Sequence, residues 1–338
     1  MSAGLSRTVR AGEWWHYKLV PILTAFFATV VMLEHPIASA WGTGLTLLLA
    51  IVPGAAYVSL LNDLTDLDED RRAGKANRME GRPTAFRIAA LLIPLAIGVF
   101  FLVLWRRDPP LFAAYLGAWV AFSLYSLPPL RLKVRGLSGV LADACGAHLF
   151  PTLVAILLGF RAGGREADSL WLSAGAAWAF GYGLRGILWH QLADRDNDRT
   201  AGVRTFAQRH PPRVASWIGT WIAFPIELAG LALLLWMCGL VLPVALLAVY
   251  VALAALRVQL WSMIPVVVQS RDRYFIVLHE YYDVLLPLAI LVGSSLRHPA
   301  DLIALALYLA LFHHRPLESL RDLRKLIGRM ASDLRHRR

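Results

Sequence analysis

Cysteine and charge are both scarce in this sequence of 338 residues. Its two cysteines, Cys145 and Cys238, lie far apart in apolar segments, which excludes a disulfide framework and a zinc site. Only 17% of the residues are charged, whereas 57% are hydrophobic. The mean hydropathy of +0.54 is typical of a polytopic membrane protein and excludes an ordinary soluble domain.

Acidic residues are outnumbered by basic ones, 23 against 34, which gives a net charge of +11. An excess of this kind can indicate nucleic-acid binding. Here, however, the basic residues occur in short loops between apolar runs, which is the distribution of cytoplasmic loops in membrane proteins. We therefore expect membrane lipid as a partner and no nucleic acid.

Ten apolar runs follow one another along the chain, and several approach the roughly 20 residues that a membrane-spanning helix needs. They cover residues 19–33, 41–61, 86–104, 111–127, 138–160, 169–191, 213–237, 241–265, 281–296 and 299–313. The sequence therefore predicts an all-α protein, a polytopic membrane bundle of about nine to ten transmembrane helices. The last two runs are short and could form one broken helix or two.

Loop charge predicts the orientation of this bundle. Most basic residues fall in one set of alternate loops, which contains residues 71–87, Arg131, Lys133, Arg135, residues 195–213, Arg271 and Arg273. The opposite loops contain Arg106, Arg107, Arg161, Arg165 and Arg297. The first set should face the cytoplasm, together with the N-terminal residues Arg7, Arg10 and Lys18.

No long linker divides the chain, so we interpret residues 1–313 as a single membrane domain. Residues 314–338 form a basic tail, for which we expect an amphipathic helix on anionic lipid.

A cluster of polar side chains ends the second apolar run, at Asn62, Asp63, Asp66 and Asp70. If the helix continues through them, the three aspartates lie within about 60° of one another on one face. Crowded carboxylates repel, so a cation must neutralise them. Oxygen ligands suit Mg²⁺, which also binds substrate phosphates.

A second cluster, Asp194 and Asp198, ends the sixth run, with its two carboxylates on one helical face. Asp196 points away from that face. Two such clusters suggest two metal sites that face one phosphate-bearing ligand. They hint at a duplicated architecture, although no further repeat of residues is evident.

Both clusters resemble the signatures of the UbiA superfamily of intramembrane prenyltransferases. Asn62-Asp63-x-x-Asp66-x-x-x-Asp70 matches the first signature, and Asp194-x-x-x-Asp198 resembles the second. The resemblance implies a UbiA-like fold, a prenyl diphosphate as substrate, and Mg²⁺ as cofactor. It also implies that the five aspartates of the two motifs are the catalytic metal ligands.

The neighbouring basic segments resemble the diphosphate-binding segments of that superfamily. The substrate-binding residues implied in this way are Asn62, Lys75, Arg78, Arg82, Tyr125, Arg131, Lys133, His190 and Arg204. Arginine would bind phosphate through two parallel hydrogen bonds and lysine as a point charge. His190 would orient Asp194, approach the diphosphate, or pack against another helix.

Other polar and aromatic residues lie in or beside the apolar runs. Tyr115 and Tyr125 are candidates for the wall of a dry cavity that shields an allylic cation, or they pack in the membrane core. Asp143, Glu280 and Asp283 would position an acceptor or take its proton, or they would serve helix packing.

The predicted activity is Mg²⁺-dependent transfer of a prenyl group from its diphosphate to an acceptor, aromatic or another small or lipid molecule. A UbiA-type terpene cyclase would use the same ionisation without an acceptor. An ion-coupled transporter is the alternative from another class, but transporters place such sites near the bilayer midplane. Here both motifs lie at helix ends, and we expect them on the cytoplasmic face of a bacterial-type cell membrane.

Overall fold

The chain folds into a bundle of helices joined by short loops, in a computed structural model that describes residues 8–269 and 273–336. Arg7 and Arg271 of the predicted cytoplasmic loops lie outside these residues. Numbered in chain order, the helices of at least six residues are α1 (Leu19–Met32), α2 (Trp41–Thr65), α3 (Leu67–Arg72), α4 (Thr84–Trp105), α5 (Pro109–Ser126), α6 (Leu137–Ala162), α7 (Ser169–Ala193), α8 (Arg195–Ala201), α9 (Pro212–Cys238), α10 (Val241–Trp261), α11 (Leu286–Arg297), α12 (Leu302–Phe312) and α13 (His314–His336).

Each of the ten predicted apolar runs is helical, so the all-α fold class is confirmed. The last two runs are separate helices, α11 and α12. Helix α10 ends at Trp261 instead of residue 265, because Ser262 takes a left-handed conformation with φ of 52°. The chain then forms two short parallel strands, β1 (Ile264–Val266) and β2 (Tyr274–Ile276).

Among the described residues, five helices are long and apolar enough to cross a membrane: Ile37–Thr65, which extends α2, together with α4, α6, α9 and α10. Their outer faces carry large apolar side chains; Phe100 is 60% exposed and Val241 82% exposed. Exposed apolar surface on helices of this length is stable in lipid and unfavourable in water. The molecule is therefore an integral membrane protein.

Helices α7 and α9 pack with their backbones unusually close. A Cβ atom added to Gly181 would lie 2.5 Å from the backbone nitrogen of Glu227, and one added to Gly230 would lie 2.3 Å from that of Trp178. Small residues permit such contacts between membrane helices. This contact fixes α7, the helix that ends at the second aspartate motif.

Both aspartate motifs lie where one helix ends and a short one begins at an angle. Asp66 separates α2 from α3 with φ and ψ of −107° and 6°, and Asp194 separates α7 from α8 with −88° and 5°. The prediction of one continuous helix through the first motif is therefore wrong. Asp63 and Asp70 belong to different helices and do not share a face.

The two helix–corner–helix segments also repeat in sequence, at an offset of 128 residues. Residues 66–74 and 194–202 share Asp, Asp, Asp, Arg, Ala and Gly at six of nine positions. The shared glycines, Gly74 and Gly202, are both left-handed, with φ of 64° and 74°, and such turns favour glycine at a helix end. The expectation that no further residues repeat is therefore wrong.

Candidate active site

The two corners meet around one cavity of about 380 Å³ at an end of the bundle. Four helices, α4 to α7, separate the two motifs in the chain, and this even number returns the chain to the same end. Ten of the predicted site residues line the cavity: Asn62, Asp66, Asp70, Lys75, Arg78, Tyr125, Lys133, His190, Asp194 and Asp198.

Asp66 is held by two cations from the loop after α5. Arg131 Nη2 donates to Asp66 Oδ1 over 2.9 Å, and Lys133 Nζ donates to the same oxygen. Arg131 also pairs with Glu69, and this hydrogen bond raises the pKa of the guanidinium. Burial lowers the pKa of Lys133, while Asp66 opposes that shift. Asp66 is therefore fixed in position before any ligand arrives.

Asp70 and Asp198 occupy equivalent positions and have equivalent partners. Asn77 Nδ2 donates to Asp70 Oδ2 over 2.8 Å, and Thr205 Oγ1 donates to Asp198 Oδ2 over 3.1 Å. In each case the donor lies seven residues after the aspartate. Burial raises the pKa of Asp198. Each carboxylate keeps one oxygen outside this hydrogen bond, and that oxygen can face a ligand.

The second corner is tied to the first across the cavity. Lys75 Nζ lies 3.8 Å from Asp194 Oδ1, and His190 Nε2 lies 3.4 Å from Asp194 Oδ2. His190 is thus beside Asp194, as one of its predicted roles requires. Both contacts are long and partly solvated, so they contribute little to folding stability.

Asp63 is placed differently from its prediction as a metal ligand. Its side chain is fully buried and does not line the cavity. It accepts a hydrogen bond from Arg10, and Arg78 Nη1 lies 3.9 Å from its other oxygen. Both arginines do line the cavity. A buried carboxylate between two cations holds them in place, so Asp63 acts on the cavity through its neighbours.

Three predicted cations lie outside the cavity lining. Arg131 stands behind Asp66, as described. Arg82 is exposed and lies over the ring of Phe86, 5.1 Å from its centroid. Arg204 is also exposed. Basic residues are spread along these loops, and the sequence does not distinguish those whose side chains line the cavity from those exposed to solvent.

Four functional candidates were missed from the sequence: Arg10, Glu69, Asn77 and Thr205. Arg10, Glu69 and Thr205 line the cavity, and Asn77 binds Asp70. The repeat at offset 128 would have identified Asn77 and Thr205, since both follow the last aspartate of a motif by seven residues. Nothing in the sequence near Arg10 indicated its contact with Asp63.

The donor chemistry of the cavity fits Mg²⁺. Within residues 8–269 and 273–336, no three His, Cys, Asp or Glu side chains are close enough to enclose a metal ion by themselves. Five carboxylates nevertheless line the walls, namely Asp66, Glu69 and Asp70 from one corner and Asp194 and Asp198 from the other. Mg²⁺ usually keeps several waters and binds through one or two carboxylates plus substrate phosphates, so one pair per ion suffices.

A narrow apolar chamber lies beside the cavity. Three segments of the chain line both spaces. In each, the residue that lines the chamber lies about one helical turn from the residue that lines the cavity. The pairs, chamber residue first, are Trp14 and Arg10, Ser59 and Asn62, and Phe122 and Tyr125. Other residues of its wall include Ala50, Gly54, Tyr57, Tyr115, Trp119, Gly146 and Pro151. The predicted position of Tyr115 in the wall of an apolar cavity agrees with this lining. The chamber therefore lies next to the charged cavity and deeper in the bundle.

A sequence model of the UbiA prenyltransferase family matches residues 21–279, about three quarters of the chain. The chain belongs to the UbiA prenyltransferase family. No curated protein matches it.

Solved UbiA structures share the fold. A UbiA homolog from Archaeoglobus fulgidus bound to DMAPP and Mg²⁺ aligns with a TM-score of 0.58 at 17% identity, over 86% of this chain and 98% of that one. The homolog bound to GPP and Mg²⁺ aligns with a TM-score of 0.55 at 16% identity, over 90% and 100%. At these identities the likeness concerns the fold alone.

The UbiA bundle of this chain also contains polar groups away from the cavity. Arg185 forms two hydrogen bonds with Glu227, of 2.6 and 2.7 Å, and both side chains are buried. The hydroxyl of Tyr282 donates to Glu227 over 2.8 Å. This network joins α7, α9 and the turn before α11.

The predicted acceptor-side residues are not brought to the cavity or the chamber. Glu280 pairs with Arg257 and Ser319, and the buried Asp283 lies 3.6 Å from Arg315 Nη2. Ser319 and Arg315 belong to α13, so these two acids hold the C-terminal helix against the bundle. Asp143 is half-buried and lines neither space. The structure supports the helix-packing alternative for Glu280 and Asp283.

Proposed function

We propose that this protein is a Mg²⁺-dependent intramembrane prenyltransferase, which moves a prenyl group from its diphosphate to an aromatic, small-molecule or lipid acceptor. One observation carries the proposal: a cavity lined by two carboxylate pairs and several cations lies directly beside an apolar chamber, about one helical turn away on three elements. A prenyl diphosphate has the matching chemistry, an anionic head on an apolar tail. The A. fulgidus homolog, whose fold is similar, was solved with DMAPP or GPP and Mg²⁺.

In this proposal the metal sites are formed by Asp66 with Asp70 and by Asp194 with Asp198. Magnesium, when bound, acts as a Lewis acid toward the oxygens of the departing diphosphate. Arg131 and Lys133 hold Asp66 in position, and Asn77 and Thr205 do the same for Asp70 and Asp198. A ligand set that is already ordered binds without a further loss of side-chain entropy.

The cations of the cavity wall share the charge of the diphosphate. Lys75, Arg78, Lys133 and Arg10 line the cavity and stabilise negative charge as it develops on the leaving group. The carbon–oxygen bond breaks, its electron pair leaves with the diphosphate, and an allylic cation remains. Asp63 acts as a positioning residue, because it binds Arg10 and lies beside Arg78 from the buried side.

The chamber protects this cation from water until the acceptor attacks and loses a proton. Its wall is mostly apolar, with Lys18 and Ser59 as its charged and aliphatic hydroxyl-bearing members, and the aromatic rings of Tyr57, Tyr115, Trp119 and Phe122 can offer π faces to a positive charge. Tyr57 and Trp119 pack with ring centroids 4.9 Å apart. The hydroxyl of Tyr57 is hydrogen-bonded to the hydroxyl of Ser123 over 3.1 Å, so the polar atom of this ring has a partner.

We place the cavity on the cytoplasmic face of a bacterial-type cell membrane, with both motifs reached from the cytosol. The basic loops around residues 71–87, 131–135 and 195–213 support this orientation. We also propose one membrane domain over residues 1–313 and a basic tail over residues 314–338 that binds anionic lipid. The helix α13 begins at His314, close to that boundary.

Mass spectrometry of products tests the proposal. Purified protein in detergent or nanodiscs receives Mg²⁺ and prenyl diphosphates of several lengths, with and without a cell extract as source of acceptor, while diphosphate release is measured in parallel. A prenylated product that needs the extract supports a transferase. A cyclic hydrocarbon formed without extract identifies a cyclase, and no diphosphate release with any prenyl length contradicts both.

A further inference from the structure

The inner end of the apolar chamber is closed by a contact between α2 and α5. The hydroxyl of Tyr115 donates to the backbone oxygen of Ala50 over 3.0 Å. Tyr115 is 1% exposed and Ala50 is 0% exposed, although both line the chamber. Trp105 packs edge-on against the Tyr115 ring from behind, with centroids 5.0 Å apart. The contact is therefore a buried floor and not an opening.

The side wall near this floor has little room to move. A Cβ atom added to Gly98 of α4 would lie 2.4 Å from the ring of Trp119. Trp119 thus fills the space that Gly98 leaves, and it also packs on Tyr115, with centroids 6.1 Å apart. A chain that enters the chamber cannot push this wall outward without displacing α4.

Helical geometry gives the depth of the chamber. Ala50 precedes Asn62, at the level of the charged cavity, by twelve residues of α2, which is about 18 Å at about 1.5 Å per residue. Tyr115 precedes Tyr125 by ten residues of α5, which is about 15 Å by the same rise. Two independent helices therefore agree on a depth of about 15–18 Å.

This depth corresponds to a definite length of prenyl chain. An extended polypeptide covers about 3.3–3.6 Å with three backbone bonds, so the four bonds of an isoprene unit cover about 5 Å when extended. We propose that the floor formed by Tyr115 and Ala50 limits the donor to about three isoprene units, which makes farnesyl diphosphate the longest well-accepted substrate. The inference rests on the proposed function and adds the prenyl length to it.

The test compares geranyl, farnesyl, geranylgeranyl and hexaprenyl diphosphates by kcat/KM for diphosphate release. The wild-type protein should use farnesyl at least about tenfold better than geranylgeranyl, because surplus carbons would have to displace the buried contact between Tyr115 and Ala50, and misfits of this size in an apolar pocket have effects of this order. It should not turn over the hexaprenyl substrate. Equal use of farnesyl and hexaprenyl substrates would overturn the inference while leaving the proposed function intact.

Three variants locate the limit. Tyr115→Ala should bring kcat/KM for geranylgeranyl to within about twofold of farnesyl, because the floor is lost. Tyr115→Phe keeps the ring and should keep the wild-type preference. Gly54→Leu adds a side chain about eight residues from Asn62, about 12 Å deep, and should leave geranyl as the longest good substrate. A Cβ at Gly54 meets only the Trp119 ring, at 3.8 Å, so this variant has room to fold.

Tyr308→Ala is the matched control, since Tyr308 is buried but does not line the chamber. It should lower stability without changing the length preference. If folded Tyr115→Ala and Gly54→Leu both retain the wild-type order of substrates, the floor does not set the length. If the wild-type protein releases no diphosphate from any of the four substrates, the proposed function itself has failed.

Discussion

Arg10 and Asp63 lie 53 residues apart in the chain and form a hydrogen-bonded ion pair beneath the charged cavity. Asp63 is fully buried, while the Arg10 side chain is 26% exposed and lines the cavity. The short segment before α1 is therefore part of the candidate active site. Asp63, a carboxylate of the first motif that does not line the cavity, helps to hold this segment at the site.

Asp63→Asn should weaken binding of the prenyl diphosphate without changing the need for Mg²⁺. A hydrogen bond to a charged group contributes about 1.5–3 kcal/mol, so KM should rise about tenfold or more as Arg10 and Arg78 lose their anchor. The Mg²⁺ concentration for half-maximal activity should stay within about twofold of wild type, a change of under about 0.5 kcal/mol. Asp70→Asn is the contrasting variant, and it should raise that concentration. The same increase in both variants would make Asp63 a metal ligand after all.

Removal of metal should abolish turnover. EDTA should stop diphosphate release, and added Mg²⁺ should restore it. The carboxylate pairs and the diphosphate are all negatively charged, so a bound cation is needed between them. Asp66→Ala and Asp194→Ala should each lower kcat/KM by about a hundredfold or more, the usual effect of losing a group that stabilises charge in the transition state. Size-exclusion profiles should show that both variants remain folded. Full activity in EDTA would contradict the metal sites.

Lys75 and Arg82 belong to the same basic segment, but the structure predicts different effects when each is substituted. Lys75→Gln should raise KM severalfold with almost no change in thermal stability, since its contact with Asp194 is long and partly exposed. Arg82→Gln should leave KM unchanged, because Arg82 lies over Phe86 and outside the cavity lining. Measurement at two salt concentrations should show a weaker salt dependence of KM for Lys75→Gln. Equal losses in both variants would mean that Arg82 also binds substrate.

Cysteine labelling tests the orientation in the membrane. Ala76→Cys and Thr200→Cys introduce exposed thiols on the two aspartate loops, and Arg165→Cys introduces one on the opposite side. In intact cells an impermeant maleimide should label residue 165 and spare residues 76 and 200. Lysed cells should label all three. Cys145 and Cys238, partly or fully buried, supply the background measured in the unmodified protein. Labelling of residues 76 or 200 in intact cells would reverse the proposed orientation.

Much of the fold could be predicted, because long apolar runs are enough to identify the helices of a membrane bundle and loop charge indicates which helix ends lie together. The ten helical runs followed from these patterns, and so did the position of both motifs at one end of the bundle. The corners at Asp66 and Asp194 could not be predicted, because backbone angles there depend on packing between helices. A continuous helix would place Asp63 on one face with Asp66 and Asp70, whereas the corner at Asp66 redirects α3 and leaves Asp63 paired with Arg10.

The site was predicted best where residues repeat at short spacing and worst where distant segments meet. Asp66, Asp70, Asp194 and Asp198 all line one cavity, as expected from their two motifs. Arg10 comes from a segment with no recognisable pattern. Glu280 and Asp283 were candidates because charge is costly in a membrane. Their partners, Ser319 and Arg315, lie in a tail that the sequence assigned to the lipid surface.

The buried pair of Arg185 and Glu227 has a consequence for the symmetry of the proposed complex. Arg185 follows Tyr57 by 128 residues, the same offset that relates the two aspartate motifs. A diphosphate is nearly symmetric about its bridging oxygen, and the two corners would grip it with matching carboxylate pairs. The head group alone could therefore bind in either of two orientations. Tyr57 lines an open chamber in the first half, whereas Arg185 and Glu227 fill the equivalent position in the second. In the proposed complex the prenyl tail therefore has a chamber to enter beside the first corner and none at the equivalent place beside the second, so the filled half would select which aspartate pair faces the phosphate esterified to the prenyl group.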